Sequence, residues 1–193
     1  TADVQLQWQD FPWHQVLQQE EVPVQLQRLT GQVSYATGQY QGQIDGDLLG
    51  PAGPFTLLTS FFGNEQKIEL SEFLLEAGQG RLLGTATVGF AQGLEWLADV
   101  QASQLDPAYW LAELSGELAG HIQTQGVMSD GLLQMSVQTD LEGTLRSSPA
   151  LFQMDLQGEQ KPQQTPVWQL NNADVRLGDN RIYAVARVDD ALA

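Results

Sequence analysis

The stretch GLEWLADVQASQLDPAYWLAELSGELAG, residues 93–120, decides the fold. Leu94, Trp96, Ala98, Val100 and Ala102 alternate with Glu95, Asp99, Gln101 and Ser103. A period of two puts the first set on one face of a strand and the second on the other. Asp106-Pro107 then breaks the pattern, and alternation resumes at Gly116, Leu118 and Gly120.

The same alternation recurs along the chain. It runs through Val4, Leu6 and Trp8, through Tyr40, Ile44 and Leu48, and through Ala86, Val88 and Phe90. It returns at Leu133, Met135, Val137 and Leu141, at Phe152, Met154 and Leu156, and at Ile182, Ala184, Ala186 and Val188. Turn-forming pairs separate these runs: Thr37-Gly38, Gly50-Pro51, Gly63-Asn64, Gly78-Gln79, Asp130-Gly131 and Gly178-Asp179. The pattern predicts an all-β chain of about a dozen strands joined as consecutive hairpins.

Two short segments read as helical. FPWHQVLQQEE (11–21) places Trp13, Val16 and Leu17 on one side, and DPAYWLAEL (106–114) has Asp106 as a cap and Pro107 in the first turn. Both are too short to cover a sheet of this size, so the apolar face must be buried by the sheet curving on itself. Three hairpins, 26–48, 70–90 and 170–188, share one plan: a leading Leu, a Gly-containing turn, and a returning strand with small residues on its apolar side. Such repetition favours an extended sheet. Gln, about one residue in seven, takes the outward positions of strand after strand.

The chain has 193 residues and a net charge of −16, with eight Lys and Arg against 24 Asp and Glu. That balance excludes nucleic acid as a partner, because phosphate backbones are held by clustered cations, and it disfavours adhesion to anionic headgroups. Uncharged acyl chains remain compatible. No cysteine is present, as suits an envelope protein that avoids stray disulfides. The chain starts at Thr1 on a strand pattern and carries no apolar run long enough to span a bilayer, so it reads as one segment, 1–193, of a longer protein.

Catalytic chemistry has little support. His14 and His121 are far apart and no Cys exists to complete a zinc site, so no metal is expected. Asp45/Asp47 and Asp189/Asp190 sit in turn-like contexts without an oxygen-rich calcium loop. Ser147-Ser148-Pro149 lacks a nucleophile elbow, and Glu20-Glu21 and Glu113/Glu117 read as wet carboxylates. The chain is read as a non-enzyme without a cofactor. The apolar face mixes large residues with Gly and Ala, and on this pattern a packed core and an open trough fit equally well.

A resemblance separates the two. The run L94-E-W96, L105-D-P-A-Y-W110, G116-E-L118 and G126, preceded by L83-G-T-A-T-V88, resembles the repeat region of the TamB family of AsmA-like bacterial envelope proteins. LQWQDFPW (6–13), LEGTLRSSPALFQMDLQGE (141–159) and VWQLNNADVRLGDNRIYAVARV (167–188) are similar to further family segments, so the likeness covers nearly the whole chain. It implies an extended curved antiparallel sheet folded into an open hydrophobic groove, a β-taco, in a periplasmic protein anchored to the inner membrane of a Gram-negative bacterium. It further implies carriage of phospholipid between the membranes and support of outer-membrane protein and autotransporter assembly. A β-scaffold that binds client strands at its sheet edges is the alternative.

Implied partners are phospholipid acyl chains, neighbouring segments of the same protein and, for the full-length protein, TamA. The residues expected to line the groove are Trp8, Trp13, Ile44, Val88, Phe90 and Leu94; then Trp96, Val100, Trp110, Ile122 and Met135; then Val137, Leu141, Phe152, Met154 and Ile182.

Overall fold

The computed structural model describes residues 2–9, 25–50, 53–109 and 113–189. Within them the chain forms twelve strands: β1 (Ala2–Gln9), β2 (Gln25–Ala36), β3 (Gln39–Gly50), β4 (Gly53–Gly63), β5 (Lys67–Ala77) and β6 (Gly80–Gly89), followed by β7 (Leu94–Leu105), β8 (Gly116–Ser129), β9 (Leu132–Leu145), β10 (Ser148–Gln160), β11 (Val167–Leu177) and β12 (Asn180–Val188). They pair in sequence order in one antiparallel sheet, and among the described residues β1 and β12 are its two edges.

Tight turns set the register. Thr37-Gly38 and Asp130-Gly131 have positive φ at both positions, the backbone that matches strand twist in a two-residue hairpin. Arg146-Ser147 adopts the same conformation without glycine. Its strain is offset by anchoring: the Arg146 backbone N–H donates to Ser115 O (2.8 Å) and its Nε to Glu113 O (2.7 Å).

Four strands carry a bulge at one recurring pattern, an apolar residue followed three positions later by another. These are Leu26/Leu29, Leu70/Phe73, Ala102/Leu105 and Leu170/Ala173. Three of the leading residues are the Leu that opens each hairpin repeat. Without the extra residue a spacing of three would send the two side chains to opposite faces; the bulge keeps both on the same face and sharpens the local twist. The outcome is an open, curved sheet.

Of the segment 106–114 expected to be helical, the described residues include a 3₁₀ turn at Pro107–Tyr109, and 110–112 lie outside them. The Asp106 carboxylate does cap it, accepting from Ala108 N–H (2.9 Å) and also from Gly116 N–H (3.1 Å), which ties the start of the turn to the start of β8. The segment 11–21 lies outside the described residues.

Close packing is local. Leu118, Leu145 and Ala150 form a buried cluster against Leu105 and Phe152, where β8, β9 and β10 meet the end of β7. No large side chain among the described residues is fully buried. The chain exposes 12894 Å², against about 9,000 Å² expected for a compact monomer of its mass. This is a single-layer sheet with one tightly packed margin.

Candidate functional site

Directly paired residues of antiparallel strands project from the same face, so the register assigns every strand side chain to one side. One face carries all the charged residues of the described strands. The other carries none.

On that uncharged face, four cross-strand rows run unbroken from β1 to β12. One starts at Leu6 and passes through Ile44, Val100, Ile122 and Met154 to Ala184. A second starts at Val4 and passes through Phe61, Ala98 and Val137 to Ala186. A third starts at Trp8 and passes through Leu57, Leu141 and Phe152 to Ile182. The fourth starts at Ala2 and passes through Val88, Trp96, Met135 and Trp168 to Val188. With strands about 4.8 Å apart, each row is a track of roughly 50 Å perpendicular to the strands.

Thirteen of the sixteen residues expected to line a groove therefore share this face. Twelve stand in the four rows and Leu94 stands in line with Met128 and Leu133. Phe90 differs: it falls just past β6, where its backbone N–H donates to Gln66 O (2.8 Å), and its side chain is exposed at the turn edge. Trp13 and Trp110 lie outside the described residues.

Two polar side chains of the apolar face bond within the sheet. Thr59 is buried, and its hydroxyl donates to Glu72 O (3.0 Å). The Trp96 indole N–H donates to Thr124 Oγ1 (3.2 Å). Exposure on this face rises from the packed margin to the β12 edge, where Ile182 is 66% exposed.

The opposite face is a lattice of charge and amide. Arg28 bridges Asp45 and Asp47 (3.1 and 2.6 Å), and its hydrogen bond to Asp47 holds that carboxyl below its ordinary value. Asp174, buried beneath Arg176 and Arg181 at 2.7 and 2.8 Å, has its pKa lowered from 3.8 to about 2 by hydrogen bonds from the two guanidinium groups. Asp99 is held down by His121 and Gln123, and Glu159 by Lys161 and Gln134.

A shallow hollow of about 1060 Å³ follows the turn edge on this side, between rows that include Glu95, Gln134 and Glu159 and rows that include Leu97, Gln125 and Gln157. Its ionic groups are largely committed to one another, as in the Lys161–Glu159 pair at 2.6 Å. The polar face is not wholly polar. Leu58, Leu74 and Leu83 form a cross-strand row on it, and Leu97, Phe62 and Tyr183 join them on that side. The breaks in alternation at these positions were the available signal in the sequence.

Among the described residues no group of three or more His, Cys, Asp or Glu could hold a metal, and no helix is long and apolar enough to cross a membrane. The chain matches the family described as TamB, N-terminal domain, over residues 2–193. No solved structure matches it.

Proposed function

We propose, from the premise that the chain belongs to the TamB family, that its apolar face is one length of a trough carrying phospholipid acyl chains across the periplasm. The observation that supports the reading is the set of four uncharged rows crossing all twelve strands. Acyl chains lie along the rows while headgroups stay in water at the open side. Each buried CH₂ contributes about 0.8 kcal/mol, so partial burial of one chain gives a hold of several kcal/mol. The rows offer no charged side chain at which a headgroup would be fixed, which favours sliding along the track.

The reading includes continuity with neighbouring segments of the same protein, an inner-membrane anchor elsewhere in that protein, and outer-membrane partners such as TamA reached through the full-length chain. The acidic outer face keeps the outside of the trough off anionic membranes.

Native mass spectrometry of detergent-free protein, with organic extraction of what it carries, tests the proposal. Phospholipid is expected at a reproducible ratio, lost in a folded Val137→Glu variant and kept in Gln138→Glu, one residue away on the polar face. Lipid-free wild-type protein, or equal loss in both variants, overturns it. The edge strand β12, with Ile182, Tyr183, Val185 and Val188 all more than half exposed, favours strand addition as a second reading. In that case Val185→Pro would abolish capture of an alternating apolar peptide and leave lipid carriage intact.

A further inference from the structure

Of the four full rows, the one nearest the turn edge reads, from β7 to β11, Trp96, Gly126, Met135, Gly158, Trp168. Both tryptophans pair directly with a glycine, and both lean inward over it. A methyl group built on Gly158 would stand 2.4 Å from Cζ3, 2.8 Å from Cε3 and 3.1 Å from Cη2 of Trp168. On Gly126 it would stand 2.2 and 2.3 Å from Cζ2 and Cη2 of Trp96. In the neighbouring row a methyl on Gly42 would meet the Gln32 carbonyl oxygen at 2.3 Å first and Phe61 Cζ at 2.9 Å. Each ring occupies the space that the opposite side chain would have filled.

This arrangement has a consequence for clearance. An indole with a bulky partner on both sides must stand off the sheet and project into the trough, whereas Trp96 and Trp168 each have a valine on one side and a glycine on the other. Lying on a glycine the indole becomes floor: its face adds apolar surface and its edge stays low. The Trp96 ring is further fixed in that pose by its hydrogen bond to Thr124.

Building on the trough reading, we infer that Gly126 and Gly158 determine what passes along this row. By letting Trp96 and Trp168 lie flat on either side of Met135, they keep the track open to an unbranched acyl chain. They act as positioning residues for the rings, and bulk at either glycine closes the row.

Gly158 gives the cleaner test, because the three atoms nearest its absent side chain all belong to the movable indole. Gly126 also faces the Gln134 carbonyl, 2.6 Å from the same hypothetical methyl. Purified wild type, Gly158→Val, Trp168→Ala and the double variant are incubated with vesicles containing pyrene-labelled phosphatidylethanolamine. Protein is then separated from vesicles and the label it retains is counted, with far-UV circular dichroism as the check on folding.

The expected result is a loss of fivefold or more in Gly158→Val, recovery to within twofold of wild type in the double variant, and carriage retained in Trp168→Ala. Equal carriage by folded Gly158→Val overturns the inference and leaves the trough intact. So does a double variant that folds and does not recover. Absence of label on wild type overturns the trough reading, and the inference falls with it. If Gly158→Val fails to fold, Gly158→Ala is measured against Gly158→Ala/Trp168→Ala by the same criterion.

Discussion

Replacing Leu145 by Ala and, separately, Ile182 by Ala probes two ends of the same apolar face. Leu145 is 3% exposed within the cluster of Leu118, Ala150, Leu105 and Phe152. Ile182 stands on the edge strand β12, 66% exposed. Each substitution removes three carbons, worth about 2.4 kcal/mol when fully buried at about 0.8 kcal/mol each. Nearly all of that is lost at Leu145, and a cavity contribution adds to it, so a cost of about 2 to 3 kcal/mol is expected. At Ile182 only about a third of the surface is out of water, which scales the cost to about 0.8 kcal/mol. These figures take the unfolded chain as fully solvated and are therefore upper values. Urea unfolding followed by circular dichroism, on the same protein stock and over a range of concentrations, measures both. An Ile182→Ala cost equal to that of Leu145→Ala would mean that the edge of the apolar face is covered in solution, and the open-trough geometry would be wrong.

Acid should weaken the fold through Asp174. Its folded pKa of about 2 lies below the ordinary 3.8, so its stabilising contribution is complete above about pH 4 and disappears as the pH falls through about 2. Thermal melts across that interval should show Asp174→Asn already less stable near neutrality and flatter with pH; parallel curves for both proteins would refute the assignment. Asp106→Ala removes the acceptor shared by Ala108 and Gly116 and should cost about 1 kcal/mol, read by the same urea titration. Asp106→Asn, which keeps an acceptor oxygen, should recover most of it.

The face that each residue takes was largely legible in the sequence, because alternation has one meaning in a strand. Wherever it ran clean, as at 94–102 or 133–141, the register agrees with it. Three features escaped. The first is the set of bulges, which look in sequence like a slip in alternation: Leu70-Ser-Glu-Phe73 and Leu170-Asn-Asn-Ala173 each contain an apolar spacing of three. The repeated hairpins pointed to these places without revealing what they do. The second is the Arg146-Ser147 turn, whose positive φ values are carried by residues that do not advertise a turn and are held by contacts to 113 and 115. The aromatic-on-glycine pairs were equally out of reach. Trp168 and Gly158 are ordinary residues until the register places one opposite the other.

Polar atoms on the apolar face explain why the track can be continuous. A hydroxyl or indole N–H pointing into the trough would compete for a headgroup or a water and make a fixed station along the row. Thr59 instead gives its proton to the Glu72 carbonyl, and Thr124 receives that of Trp96. Both are side-chain bonds that keep polarity within the sheet, and no buried side-chain polar atom among the described residues lacks a partner. The charges are sequestered by the opposite device: the register puts every one on the far face, where Arg28, Arg81 and Arg176 bind carboxylates of their own or neighbouring strands. A surface with no strong anchor holds an apolar chain by area alone, and area is nearly the same at each step along a row. Thr59 and Thr124 on this face each hold their polar atom to a partner within the sheet. Thr59→Val should leave lipid carriage unchanged, whereas Ala98→Asp, central in its row and without a basic partner on that face, should halt it, measured by label retained from vesicles. Carriage undiminished in Ala98→Asp would show that the ligand does not travel along these rows.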